Sequence, residues 1–273
     1  MVFFFTINYM QLANKYPVGI FDSGIGGLSV WKEIVKLLPN EDIIYYADSG
    51  NCPYGKKSQQ EIINISEKIV DFLITQNCKL IIVACNTATA AAIEHLRAKY
   101  NIKFVGMEPA VKPAALNSIT GKIGVLATSG TFRGKLFNET SKQYANDKDV
   151  HIQIGHGLVN AVENGLIKSK ETRELLQKYL QPMLDNNVDQ IVLGCTHYPF
   201  LIDIITQIVD GRAKIIDPSY AVAKQAENLL NKDNLQNSLN KIANYKFYST
   251  GNTKLLKTVL NQLAYNDLSV EAV

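Results

Sequence analysis

Leu80-Ile81-Ile82-Val83-Ala84-Cys85-Asn86-Thr87 is the stretch that decides the fold. Five apolar residues in a row leave no solvent face, which marks a strand buried on both sides, as in the interior of a parallel sheet. Three small residues, cysteine, asparagine and threonine, then break the run, and an alanine-rich helical stretch follows. The same rhythm recurs on either side. Val18-Gly19-Ile20-Phe21 leads into Asp22-Ser23-Gly24, after which Leu28, Trp31, Ile34, Val35 and Leu38 fall at helical spacing. Ser58 with Glu61 has the pattern of a capping box opening a helix through Ile62, Ile65, Ile69 and Leu73. Residues 122–127 and 190–193 again read as strand before turn. Apolar runs alternating with amphipathic helices predict an α/β fold of mainly parallel sheets flanked by helices.

A weak internal repeat organises the chain further. VGIFDSG (18–24) resembles IGVLATSG (123–130), and LIIVACNTA (80–88) resembles QIVLGCTHY (190–198). The expectation is two pseudo-symmetric α/β domains with a cleft between them, each ending a buried strand in a cysteine. The first takes residues 16–108 plus 217–268 and the second 109–216. The chain crosses over between Gly106 and Pro113 and returns at Ile216-Asp217-Pro218. Tyr245-Lys246-Phe247-Tyr248 adds a strand to the first half.

Composition narrows the function classes. A length of 273 residues suits about two domains. With 19% charged residues and a formal net charge of +3, there is no basic patch for nucleic acid or a membrane surface. The apolar opening, Met1-Val2-Phe3-Phe4-Phe5-Thr6-Ile7, lacks a basic start and a cleavage site, so residues 1–15 read as an extension ahead of the first strand. No apolar run approaches the ~20 residues that span a bilayer. The expected location is the cytoplasm. There Cys52, Cys78, Cys85 and Cys195 remain thiols, and their spacing, with no CxxC pair, argues against a zinc site.

Ligands of open α/β sheets bind beyond the carboxyl ends of the strands. Asp22-Ser23-Gly24, Cys85-Asn86-Thr87, Thr128-Ser129-Gly130 and Cys195-Thr196-His197 all sit at such ends, and each is expected to open a helix whose free N–H groups attract a carboxylate. None contains lysine or arginine. Asp22 reads as a helix cap or as the partner of a substrate ammonium. Gly24-Ile25-Gly26-Gly27 is not the G-x-G-x-x-G of a dinucleotide loop. Cys85 and Cys195 each read singly as small buried hydrophobes. As a matched pair they suggest two-sided proton transfer, a thiolate on one face of a carbon and a thiol on the other. A helix N-terminus is expected to lower their pKa. His197, two residues past Cys195, is placed to relay a proton or to cap a helix. His95, His151 and His156 have weaker claims, Cys78 reads as inert, and Cys52 lies in a turn-rich loop with its reactivity open.

At these residues the chain resembles the glutamate racemases of bacterial cell-wall synthesis. The resemblance rests on FDSGIGG (21–27), CPYG followed by KS (52–58), ACNTATA (84–90), LATSGTF (126–132), VENG (162–165) and GCTHYPFL (194–201), in order. It implies racemisation of glutamate, without pyridoxal phosphate or metal, by Cys85 and Cys195 as paired acid/base thiols. Asp22 would assist Cys85, while Glu163 and His197 would assist Cys195. Asp22, Ser23, Tyr54, Gly55, Asn86, Thr87, Thr196 and His197 would contact the amino acid, joined by Thr128 in the matching turn of the second half. It also implies a homodimer and a role in supplying D-glutamate for peptidoglycan. The chain departs from the family at Gly155-His156-Gly157, where many members carry Cys-Pro, and at Cys52, where other residue types are common.

Three other readings compete. An aspartate racemase shares the superfamily, although Thr196-His197-Tyr198-Pro199 favours glutamate. A binding module for acidic amino acids would leave their chirality unchanged. A thiol–disulfide enzyme would ordinarily carry CxxC.

Overall fold

The structure is a computed structural model that describes residues 14–237, 242–266 and 268–273. Most of the N-terminal extension expected at 1–15 therefore lies outside the described residues. The chain opens with strand β1 (Val18–Asp22), helix α1 (Leu28–Leu37) and strand β2 (Ile43–Ala47). Two short 3-10 turns, Ser49–Asn51 and Tyr54–Lys56, lead to helix α2 (Gln59–Thr75), strand β3 (Leu80–Val83), helix α3 (Asn86–Lys99) and strand β4 (Lys103–Gly106). The capping box is present: the Glu61 amide donates to Ser58 Oγ, and the Ser58 amide donates to the Glu61 carboxylate.

Helix α4 (Val111–Asn117) carries the chain across. The second half holds strand β5 (Lys122–Ala127), helices α5 (Ser129–Arg133) and α6 (Lys135–Tyr144), and strand β6 (Asp149–Ile154). Helices α7 (Leu158–Glu163) and α8 (Lys170–Asp185), strand β7 (Gln190–Gly194), helix α9 (Ile202–Val209) and strand β8 (Lys214–Ile216) follow. The chain then returns through helix α10 (Ser219–Lys232) to strand β9 (Tyr245–Ser249), helix α11 (Thr253–Gln262) and strand β10 (Val270–Ala272).

All strand pairings are parallel and form two sheets. One has the order β10-β9-β2-β1-β3-β4 and the other β6-β5-β7-β8. The run β2-β1-β3-β4 of the first matches the second in connection order, so β3 and β7 occupy equivalent places. This is the topological content of the weak repeat. Tyr245 to Ser249 pairs beside β2, and β10 extends that edge by a strand that the sequence pattern did not indicate.

Burial follows the apolar runs. Every residue of β1, β3 and β7 is buried, as expected of central parallel strands. Leu28, Val30, Trp31 and Ile34 of α1 are sealed against the first sheet, each worth roughly 1.5–3 kcal/mol in transfer from water. Trp31 meets Tyr245, Phe247 and Tyr265 edge-on, which fixes the returning segment to α1.

Candidate active site

The carboxyl ends of the two sheets face one another, and the turns beyond them enclose a cavity of about 230 Å³. This lies below the roughly 300–1,000 Å³ of drug-sized pockets and fits a ligand of few atoms. Cys85 and Cys195 both line it, with Ser23, Tyr54, Gly55, Asn86, Thr87, Thr128, Thr196 and His197. Asp22 and Glu163 stand immediately behind this wall.

Asp22 ends β1 and is fully buried. Its Oδ1 accepts the Gly24 amide at 2.8 Å and its Oδ2 accepts Thr196 Oγ1 at 2.9 Å. It does not cap α1, whose N-cap is Gly27. Burial raises its pKa to about 6, with the nearby His197 cation and the two hydrogen bonds acting in the opposite direction. Thr196 belongs to the turn after β7, so this bond ties the two halves together at the cavity.

Cys85 is the N-cap of α3, and its Sγ accepts the Ala88 amide at 3.4 Å. Its thiol reaches Ser23 Oγ at 3.8 Å. The sequence led us to expect a lowered pKa, but the shift is upward. Burial in an apolar surround is the largest cause and the neighbouring Asp22 charge the next, and together they outweigh the helix-terminal amide.

Cys195 differs from expectation in its setting. No α-helix starts on it; the turn runs instead into a 3-10 helix at Tyr198–Leu201, with Pro199 in its first turn. What Cys195 has is an imidazole: its Sγ lies 3.8 Å from His197 Nδ1. His197 Nε2 lies 2.6 Å from Glu163 Oε1, and Glu163 in turn accepts the Ile25 amide at 2.7 Å. Thiol, imidazole and carboxylate thus form a line, the arrangement in which a base is oriented by a third group. Burial opposes the charged ring, yet hydrogen bonds to Cys195, Cys52 and Glu163 prevail and hold the His197 pKa well above its ordinary value.

Gly24 and Gly26 are explained by this dyad. A Cβ on Gly24 would sit 2.0 Å from Glu163 Oε1, and one on Gly26 would sit 2.4 Å from His197 Nδ1. The glycines let the loop approach the dyad closely, a role unrelated to binding a dinucleotide.

On the opposite wall Thr87 Oγ1 and Thr128 Oγ1 lie 2.8 Å apart, a further bond between the halves. Thr128 caps α5. Asn86 Oδ1 is buried without a hydrogen-bond partner, an acceptor suited to an ammonium group. The Tyr54 hydroxyl is already engaged, donating to Asp48 Oδ2 at 2.5 Å, and the Gly55 carbonyl accepts Ser129 Oγ and Arg133 Nη2.

Lys56, Ser129, His156 and Asn160 also line the cavity. The sequence marks Ser129 only as part of the Thr128-Ser129-Gly130 turn and His156 only as a weaker candidate in the departing Gly155-His156-Gly157 loop, and it gives Lys56 and Asn160 no role. Arg133 and Lys56 show that cations stand at or behind the rim even though the four turns lack them. His95 and His151 pair with Glu67 and Asp149 at the surface. Cys78 packs under Gly19, its thiol pushed up to about 12 by burial.

Comparison with known proteins agrees with this layout. The Asp/Glu/hydantoin racemase family matches residues 18–226. A glutamate racemase of Herpetosiphon aurantiacus is 47% identical over 221 residues, covering 81% of this chain and 87% of the relative. Among solved structures, the glutamate racemase of Francisella tularensis in complex with D-glutamate superposes with a TM-score of 0.83 at 31% identity, covering 95% of this chain and 98% of the other. That of Escherichia coli, with L-glutamate among its ligands, gives 0.83 at 30%, covering 94% and 98%. The chain belongs to the Asp/Glu/hydantoin racemase family and, within it, to the glutamate racemases, which are amino-acid isomerases.

Proposed function

We propose that this chain interconverts L- and D-glutamate by proton transfer between two thiols across the α-carbon, with no organic cofactor or metal taking part. The observation that carries the reading is the placement of Cys85 and Cys195 after equivalent strands, β3 and β7, on the wall of one small cavity. One cysteine, as thiolate, takes the α-proton, and the electron pair left on carbon is delocalised into the α-carboxylate. The other cysteine, as thiol, delivers a proton to the opposite face. Each thiol has its own partner for resetting: Asp22 beside Cys85, and the His197–Glu163 dyad beside Cys195.

Without an electron sink, the developing charge has to be met by fixed donors in a closed site. Ser23, Thr87, Thr128 and Thr196 supply hydroxyls around the cavity, and Asn86 Oδ1 and Asp22 suit the ammonium. Tyr54 and Gly55 shape the wall. We read the halves as two domains, 16–108 with 217–268 and 109–216, that close on the substrate. The same reading makes the protein a cytoplasmic homodimer supplying D-glutamate for peptidoglycan. Among the described residues no helix is long and apolar enough to cross a membrane.

The test is circular dichroism of each glutamate enantiomer incubated with enzyme in deuterated water. Wild type should erase the signal and place deuterium at the α-carbon. Cys85→Ala and Cys195→Ala should each abolish the loss of chirality. Retention of activity by either variant would rule out the two-thiol mechanism. If wild type leaves glutamate untouched, a binding role takes its place.

A further inference from the structure

Cys52 is neither of the two thiols of the proposed proton transfer; its thiol contacts Ser23 Oγ at 4.0 Å and hydrogen-bonds His197. Yet it belongs to a second constellation. Cys52 follows β2, Glu163 ends α7 and His197 follows β7, and one ligand atom from each lies within 4.8 Å of the other two. Zinc holds sulfur at about 2.3 Å and nitrogen or oxygen at about 2.0–2.2 Å, which puts tetrahedral ligand atoms roughly 3.3–3.8 Å apart. A pair at the 4.8 Å limit would close by about an ångström to reach this spacing, while Glu163 Oε1 and His197 Nε2, 2.6 Å apart, would part by a little less. Thiolate, imidazole and carboxylate are also the donor set that a borderline-soft divalent ion prefers.

A separate approach route makes the cluster more than a coincidence of packing. Cys52 and Glu163 line an outer cleft of about 370 Å³, together with Ser49, Asn160, Asn164 and Asn252. Among the described residues no lysine or arginine lines that cleft. His197 instead lines the substrate cavity. The cluster therefore forms the partition between the two spaces, with an entrance that avoids both Cys85 and Cys195.

We propose that Cys52, Glu163 and His197 form an inhibitory site for zinc or a similar soft divalent cation, loaded through the outer cleft. On binding, the Cys52 S–H proton and one N–H proton of the His197 imidazolium leave to solvent as the sulfur–metal and nitrogen–metal bonds form, with no change of oxidation state. A ring nitrogen of His197 becomes a ligand, so the imidazole no longer exchanges a proton with Cys195. Glu163 has two oxygens, and ligation through Oε2 leaves the Ile25 amide on Oε1. The fourth position is open to water.

The site is read first by binding, which does not depend on catalysis. Reduced full-length protein titrated with Co²⁺ alone should develop sulfur-to-cobalt charge-transfer absorption. Cys52→Ala should lose it and Cys78→Ala should keep it. Zn²⁺ should then inhibit racemisation by wild type, and raising glutamate at fixed free zinc should not relieve the inhibition. Without metal, Cys52→Ala and Cys52→Ser should still racemise, and zinc inhibition is read against each variant's own metal-free rate. In both variants the apparent zinc affinity should fall by more than about 100-fold, beyond the ~10–100-fold that loss of an outer-shell partner costs.

Persistence of the cobalt band or of zinc inhibition in both Cys52 variants would overturn the proposal, as would relief by glutamate, which would place the metal on the cavity thiols. A cobalt band without inhibition would overturn the inhibitory role. If wild type does not racemise at all, the reading of function fails while the cobalt band still decides the metal site.

Discussion

At the scale of single residues, Asp22 shows how burial and reactivity are linked. Its pKa rises from 3.8 to about 6, chiefly because the carboxyl is withdrawn from water. Between about pH 4 and 6 the native protein keeps a proton that the unfolded chain has released. The native state then binds more protons, so this group makes stability fall as pH rises, and the loss is complete above about pH 6. Its size is on the order of 3 kcal/mol. Asp22→Asn should remove that fall. Denaturant unfolding across this range should show the variant gaining on wild type from about pH 4 to pH 7, while its racemisation is lost. A constant gap would mean that the carboxyl is not held in its protonated form. The same reasoning explains what the sequence could not reveal at Cys85. The helix N-terminus is legible from Asn86-Thr87 and the alanines, but the degree of burial and the distance to Asp22 are tertiary facts, and they decide the direction of the shift.

At the scale of elements, the loop from β1 to α1 carries the clearest dependence of site on fold. Gly26 does not adopt a left-handed backbone, so alanine is conformationally allowed there and its effect falls on His197, 2.4 Å from the added Cβ. Gly26→Ala should lower kcat by about 100-fold through misplacement of the imidazole, with KM and melting temperature changed far less. Steady-state kinetics beside a thermal melt distinguish this from unfolding. The strand-then-turn rhythm, the capping box at Ser58 and the two cysteine turns were legible because each is a local pattern of adjacent residues. Glu163 was not: Val162-Glu163-Asn164 has no local feature to set it apart, and only family resemblance indicated it. The meeting of residues 52, 163 and 197 was hidden for the same reason. Spacing along the chain argues against a zinc motif, but it says nothing about ligands gathered from three separate turns.

At the scale of the whole molecule, one ion pair fastens the end of the first sheet opposite the thiols. Lys79 Nζ and Glu41 Oε2 lie 2.5 Å apart with both side chains almost fully buried. Lys79 also donates to the Asn14 carbonyl, and Glu41 accepts the Asn237 amide, so distant parts of the chain converge there. Lys79→Met should cost about 3–5 kcal/mol by stranding the Glu41 charge, and adding Glu41→Leu should restore most of it. Denaturant midpoints would measure both steps, and activity per folded molecule should not change. At the other end of the sheets, the two halves repeat a strand order but not a chemistry: one thiol faces a carboxyl, the other an imidazole. L- and D-glutamate have equal free energies in water, so for the proposed reaction the Haldane relation requires the same kcat/KM from either enantiomer, however unlike the two proton donors are. Their inequality can surface only as a matched scaling of kcat and KM, so that the enantiomer that turns over faster at saturation is also the one that saturates later.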